Sequence, residues 1–299
     1  MNADPLTTVE YLRDVDYVGD RHPGHRLDVL TPRAATAATA ARLPVYVYFH
    51  GGGWTAGDKS ALTKYCAVQA DTGIVVVNVN YRRAGLASGG FGMRHMLHDA
   101  NDALRWVLAH IAEYGGDPET IVLGGDSAGA QIAALLGATT TRPELADHFG
   151  LRPAITRDEI GGLVLHCGAV DFSVLFEPGF IMSHDFARML LPGFRRHRMK
   201  PASLQRASRW LSPIEWLDGN YPPVLVTTSE RDIFYRANVN FVEAARHSGV
   251  PVEFLSYGWS SRTEHTWQQD PKHPESAEVY EHLQNFIAQV SSRVRSAGA

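Results

Sequence analysis

Cysteine is scarce in this chain. Two residues in 299, Cys66 and Cys167, are too few for a disulfide framework, and a reducing compartment suits them. There is no surplus of either charge: 28 Lys+Arg against 32 Asp+Glu leave a net −4, with pI near 6.4, so nothing suggests a polyanion-binding face or nucleic acid. No run approaches 18 consecutive apolar residues, so no membrane span is expected. The opening MNADPLTTVEYLRDVDY carries acids where a signal peptide needs a basic end and an apolar stretch, so the expectation is a cytoplasmic protein. Metal signatures are missing as well: there is no CxxC, no HExxH and no carboxylate–histidine set at ligand spacing, so no metal is expected. What is present is an ordinary globular composition, 44% hydrophobic and 20% charged, able to bury a large core.

Short β-rich runs alternate with helical patterns. HRLDVL (25–30), VYVYFH (45–50), IVVVNVN (74–80), TIVLGG (120–125), IGGLVLHC (160–167), PVLVTT (223–228) and VPVEFLS (250–256) read as strands, most of them apolar enough to be buried on both faces. Helical spacing marks 93–114, 128–140, 238–248 and 276–294. A β-α-β-α order predicts an α/β fold with a mostly parallel sheet and right-handed crossovers, with residues 1–299 as a single domain. AATAATAA (34–41) reads as an exposed connection. Residues 172–216 break the rhythm: they follow a core strand, hold no strand, and are rich in Phe, Met, Leu and Arg, as a helical cap over the sheet's edge would be. Its basic cluster, Arg195, Arg196, His197, Arg198 and Lys200, reads as a solvated face.

Two motifs carry chemistry. Gly125-Asp126-Ser127-Ala128-Gly129 has the form G-x-S-x-G between a strand and a helix, where a serine on a strained turn needs small neighbours. His50-Gly51-Gly52-Gly53-Trp54 ends another strand; its glycines can turn amide N–H groups toward a pocket, as an oxyanion hole requires. That segment matches neither common phosphate-loop pattern.

HGGGW (50–54), YR (81–82), EYGGDP (113–118) and GDSAG (125–129), in this order, resemble the hormone-sensitive-lipase-like branch of α/β-hydrolase esterases. HGGGWTAGDK (50–59) is also similar to the kynurenine-formamidase and feruloyl/acetylxylan-esterase branches. The resemblance covers about 25–290 and implies the α/β-hydrolase fold, with a central sheet of about eight strands. It further implies Ser127 as nucleophile, with the N–H groups of Gly52, Gly53 and Ala128 as oxyanion donors. Two positions depart from the pattern: YRLAP becomes Tyr81-Arg82-Arg83-Ala84-Gly85, which bears on the pocket wall, and GDSAGG ends at Ala130.

The fold expects the order Ser, acid, His. Asp232 follows PVLVTT where the family's acid sits, with Glu230 as rival. His265 lies between the last strand and the last helix, with His273 as fallback. The implied chemistry is ester hydrolysis through an acyl-enzyme: His265 is the base, Asp232 fixes its tautomer, and activity falls on the acid side as the imidazole charges. No cofactor is required. Trp54 and Trp267 are candidate pocket residues. Trp106, Trp210 and Trp216 read as packing, Asp99 and Asp102 as solvated or capping charges, and His166 and Cys167 as core. The expected partner is a small-molecule ester of modest apolar size, and the resemblance adds a homodimer. Two alternatives stand beside this reading: an amidase resembling kynurenine formamidase, and a non-catalytic ligand receptor on the same fold.

Overall fold

The computed structural model describes residues 6–33, 42–85, 90–177, 183–191 and 201–297. The connection at 34–41 and the basic cluster at 195–200 lie outside these residues. Among the described residues there are eight strands: β1 Val9–Asp16, β2 Arg26–Pro32, β3 Leu43–Phe49, β4 Val75–Val79, β5 Gly116–Asp126, β6 Ile160–His166, β7 Val224–Ser229 and β8 Val252–Tyr257. They form one sheet in the order β1-β2-β4-β3-β5-β6-β7-β8. The β1–β2 and β2–β4 pairings are antiparallel, and the other five are parallel. The seven strands read from sequence are all here. The eighth, β1, carries no apolar run because it is an edge strand, with half of its residues exposed and only Val9 buried, and a bulge between Leu12 and Val15.

The central strands are Val/Ile/Leu-rich because both of their faces are covered. In β3, Val45, Val47 and Phe49 enter one core cluster while Tyr46 and Tyr48 enter the other. The first cluster takes helices α2 (Met93–His110), α3 (Ala128–Thr139) and α7 (Tyr235–His247). The second takes α1 (Thr63–Ala70) and α8 (Ser276–Ala297). Every residue of α3 is buried, which explains its Ala/Gly-rich composition: large side chains would hold it off β5 and β6. Two short helices, α1 and α4 (Pro143–Phe149), escaped the periodicity reading. Within 172–216 the described parts are helical: 3-10 turns at Phe172–Phe176, Ser208–Leu211 and Pro213–Trp216, with α5 (Ser183–Leu190) and α6 (Pro201–Ala207) between them.

Asp99 differs from its reading as a solvated or capping charge. It is fully buried on α2, where Arg82 Nε donates to it at 2.9–3.0 Å and His25 Nε2 lies 3.2 Å away. Burial alone would raise its carboxyl pKa, but these partners outweigh it and hold the group below the usual range. Asp102 behaves as expected, paired at the surface with Arg105. The tryptophans read as packing do pack: Trp210 stacks on Trp216 and His148, and Trp106 on Tyr114.

Candidate active site

Parallel strands leave their carboxyl ends, and the loops that follow, along one rim. At β5 the chain passes into α3 through Ser127, whose φ of 51° and ψ of −116° are costly for a residue with a Cβ. Three backbone bonds hold it there: Ser127 N–H donates to His166 O at 2.9 Å, while Gln131 N and Ala169 N donate to Ser127 O at 3.2 and 3.4 Å. The flanking glycines are obligatory. A Cβ on Gly129 would lie 2.0 Å from Phe49 O and 2.6 Å from His50 O, and one on Gly125 would lie 2.3 Å from Phe49 O.

His265 Nε2 is 3.0 Å from Ser127 Oγ, and His265 Nδ1 is 2.6 Å from Asp232 Oδ1. A carboxylate only accepts, so Nδ1 carries the imidazole proton and Nε2 is left to accept from the hydroxyl. Asp232 is held in turn: Thr228 Oγ1 donates to its Oδ2 at 2.7 Å and Phe234 N to its Oδ1 at 3.0 Å. The rivals sit elsewhere. Glu230 accepts from Trp259 N at 2.7 Å, and His273 pairs with Glu275 at 2.8 Å.

The glycine turn after β3 faces the same point. Gly52 and Gly53 adopt φ of 122° and 56°. The Gly52 carbonyl accepts from Thr55 N and Ala56 N, at 3.2 and 2.9 Å. Gly51 N–H is committed to Asp126 Oδ1 at 3.0 Å. Ala128, as the first residue of α3, has no intrahelical acceptor for its N–H. Asp126 is the residue the sequence reading missed, although it lies inside the serine motif. Tyr48 OH donates to its Oδ1 at 2.7 Å, and Gln269 Nε2 to its Oδ2 at 2.8 Å. Burial pushes its carboxyl pKa up, against the pull of the Tyr48 and Gly51 bonds.

A cavity of about 440 Å³ opens over Ser127, with Trp54, Leu62, Phe186, Ile233 and Phe234 forming its apolar wall. Trp54 packs on Phe172 and Phe186, and its Nε1–H donates to Gln131 Oε1 at 2.6 Å. Trp267 does not line this cavity. It lies across the sheet, buried in the second core cluster against Tyr257. The positions that depart from YRLAP, Arg83 and Gly85, do not line this cavity either: Arg83 donates to Gly57 O at 3.1 Å, while Arg82 turns to Asp99. Tyr81 donates to His50 O at 2.7 Å and stacks on the His50 ring, supporting the glycine turn from below.

The α/β hydrolase fold family matches residues 46–262, most of the chain. The chain belongs to the α/β hydrolase fold family. Among curated relatives, the chain is 30% identical over 237 residues to a probable carboxylic ester hydrolase, LipM, of Mycobacterium tuberculosis (76% of this chain, 51% of LipM). It is 31% identical over 229 residues to the carboxylesterase NlhH of the same organism (71% of this chain, 63% of NlhH). It therefore spans only about half to two thirds of their lengths. Esterase B from Lactobacillus rhamnosis superposes with a TM-score of 0.85 at 22% identity, over 99% of this chain and 90% of that one, a likeness of fold. Among the described residues, no helix is long and apolar enough to cross a membrane.

Proposed function

We propose that this α/β hydrolase cleaves carboxylic esters of small to medium size through an acyl-enzyme. The observation that carries the proposal is the unbroken contact from Asp232 through His265 to Ser127, at 2.6 and 3.0 Å. Ser127 Oγ attacks the ester carbonyl as its proton passes to His265 Nε2. Asp232 keeps the imidazole in the right tautomer and stabilises the imidazolium. The N–H groups of Gly52, Gly53 and Ala128 receive the oxyanion. The imidazolium then protonates the leaving alcohol, and water repeats the sequence at the acyl-enzyme. The ester chemistry named for LipM and NlhH supports this reading.

The 172–216 segment acts here as a cap on one domain, since Phe172 and Phe186 from it back Trp54 at the cavity wall. Two buried unpaired cysteines support a reducing, cytoplasmic setting. A second copy as partner rests on the resemblance alone.

The test is turnover of p-nitrophenyl butyrate together with labelling by a fluorophosphonate, on the native chain and on Ser127→Ala. The native chain turns over and labels once, and Ser127→Ala does neither while its circular dichroism is unchanged. Retained esterase activity in Ser127→Ala overturns the nucleophile assignment. Faster initial rates on N-formylkynurenine than on any ester would replace the esterase with the amidase. A native chain that neither labels nor turns over would make it a receptor.

A further inference from the structure

Cys167 follows β6 in a left-handed conformation, φ 49°, and is fully buried in the second core cluster, with its thiol close to Asp232 and His265. Its Sγ, a carboxylate oxygen of Asp232 and a ring nitrogen of His265 all lie within 4.8 Å of one another. The sulfur already accepts Thr266 N–H at 3.4 Å, a contact that favours thiolate over thiol. Esterase chemistry makes no use of this thiol. Thiolate, carboxylate and imidazole are together a donor set for a borderline-soft divalent cation.

We propose that Cys167, Asp232 and His265 form an inhibitory site for zinc and similar thiophilic divalent cations, with His265 bound through Nδ1. The distances need only a modest adjustment. Ligand atoms around a tetrahedral zinc stand roughly 3.3–3.6 Å apart, given bonds of ~2.0–2.3 Å. The thiol has to move in and the 2.6 Å imidazole–carboxylate contact has to open by about 1 Å. His265 can supply that motion: its side chain is 27% exposed and sits in the cavity-facing loop with Thr266, which gives the ion its route in and leaves the fourth position to water.

The charge balance favours capture. Cys167 loses its proton to solvent, so thiolate and carboxylate offset the two charges of the cation and the buried site is neutral. Burial holds the free thiol protonated, its pKa well above the usual value, so the cation displaces a proton when it binds. The neutral imidazole keeps its single proton, which must sit on Nε2 once the metal takes Nδ1. That is the wrong tautomer for catalysis: Nε2 then donates, and nothing accepts the proton of Ser127. The cation therefore stops acylation without touching the nucleophile.

The inhibition half of this proposal rests on the esterase reading, whereas the binding half does not. Chelator-treated full-length protein is titrated with CdCl2, following the ultraviolet thiolate-to-cadmium charge-transfer band. In parallel, p-nitrophenyl butyrate hydrolysis is measured against ZnCl2 and MgCl2. The expected result is one saturable band per chain, loss of activity with zinc but not magnesium, and a tenfold or greater fall in metal affinity in Cys167→Ala. Each variant's rates are normalised to its own chelator-treated rate. Cys167→Ser, which keeps volume and polarity but not the soft ligand, serves where the alanine variant does not fold. Cys66→Ala, the other buried cysteine, keeps the band. The proposal is overturned by a band that survives both Cys167 substitutions, by a band lost only in Cys66→Ala, or by no saturable band. Full activity in a metal-saturated enzyme also overturns it. A chain with no esterase activity still gives the band, so failure of the function and failure of the site are read separately.

Discussion

Gln269 reaches Asp126 from the loop that carries His265, and Asp126 in turn holds Gly51 of the glycine turn proposed to form the oxyanion hole. One buried carboxylate thus joins the loop of His265 to the glycine turn. In Gln269→Ala, Asp126 Oδ2 loses its side-chain donor and is left facing the cavity that both residues line. A hydrogen bond to a charged group is worth about 1.5–3 kcal/mol. Part of that loss appears as rotation or protonation of the carboxyl, both of which loosen Gly51. Oxyanion donors act on charge that exists only in the transition state, so the loss falls on kcat. At about 1.4 kcal/mol per decade, the full loss would be about 10- to 100-fold, so kcat should drop by up to about 100-fold while KM stays within about threefold.

The pairing itself is tested by a swap. In Asp126→Asn/Gln269→Glu, the amide carbonyl introduced at position 126 can accept from Tyr48 and Gly51, while its NH2 donates to the carboxylate introduced at position 269. All three contacts are then restored with one charge. Steady-state kinetics on p-nitrophenyl butyrate should place the double variant well above the product of the two single effects. Gln269→Glu alone sets two carboxylates within about 3 Å, so they share one proton at low pH; activity should fall as pH rises and that proton is lost. Full kcat in Gln269→Ala, or a double variant no better than the singles combined, would refute the coupling.

Gly129→Ala should cost about 1–3 kcal/mol in overpacking and lose activity more steeply than stability, because its Cβ can be accommodated only by moving the elbow off Phe49 O; urea unfolding and kcat/KM together check this. His166 is fully buried, with its pKa depressed by burial from 6.5 to about 3. Above 6.5 it is neutral whether folded or unfolded, but between 6.5 and about 3 only the unfolded chain binds the proton, so stability falls as pH falls, by about 1.4 kcal/mol per pH unit. His166→Gln should flatten that slope in urea unfolding at pH 6 and pH 5, and an unchanged slope would contradict it. Trp54→Phe leaves Gln131 Oε1 without its indole donor and should cost about 1–3 kcal/mol; Trp54→Ala additionally opens the wall toward Phe172 and Phe186 and should shift preference to longer acyl esters, read as kcat/KM across acyl length.

The residues that the structure brings into the Ser127–His265–Asp232 contact are each marked locally in the sequence: Ser127 by flanking glycines with no room for a Cβ, Asp232 and His265 by their places just beyond strand ends. The central strands β3 to β7 were legible for a similar reason, since burial on both faces leaves continuous apolar segments, whereas the half-exposed edge strand β8 was marked by its short β-branched and aromatic run. What stayed hidden depends on partners distant in sequence. Asp99 looks like any helix-surface acid until Arg82 and His25 are brought to it. Gln269 has no motif, and its role exists only because a carboxylate 143 positions earlier lies 2.8 Å away. Trp267 stands two residues after His265, yet the 3-10 turn Trp267–Gln269 sends its ring across the sheet into the second core. Proximity in sequence to a catalytic residue did not fix which face the side chain would take.

The same carbonyl explains why the two motifs occur together. Phe49, last residue of β3, pairs in register with Gly125 of β5, and its O lies where a Cβ on either Gly125 or Gly129 would have to be. The strand that ends in HGGG is therefore pressed against the strand that ends in GDSAG, and the glycines of the second motif are set by the backbone of the first. Asp126 then ties Gly51 to the elbow directly, where a Cβ on Gly51 would lie 2.2 Å from its Oδ2. Ser127 and the glycine turn are thus held against each other, as well as each against the sheet. A substitution at any of these contacts should displace both together, so its cost to turnover should exceed its cost to folding.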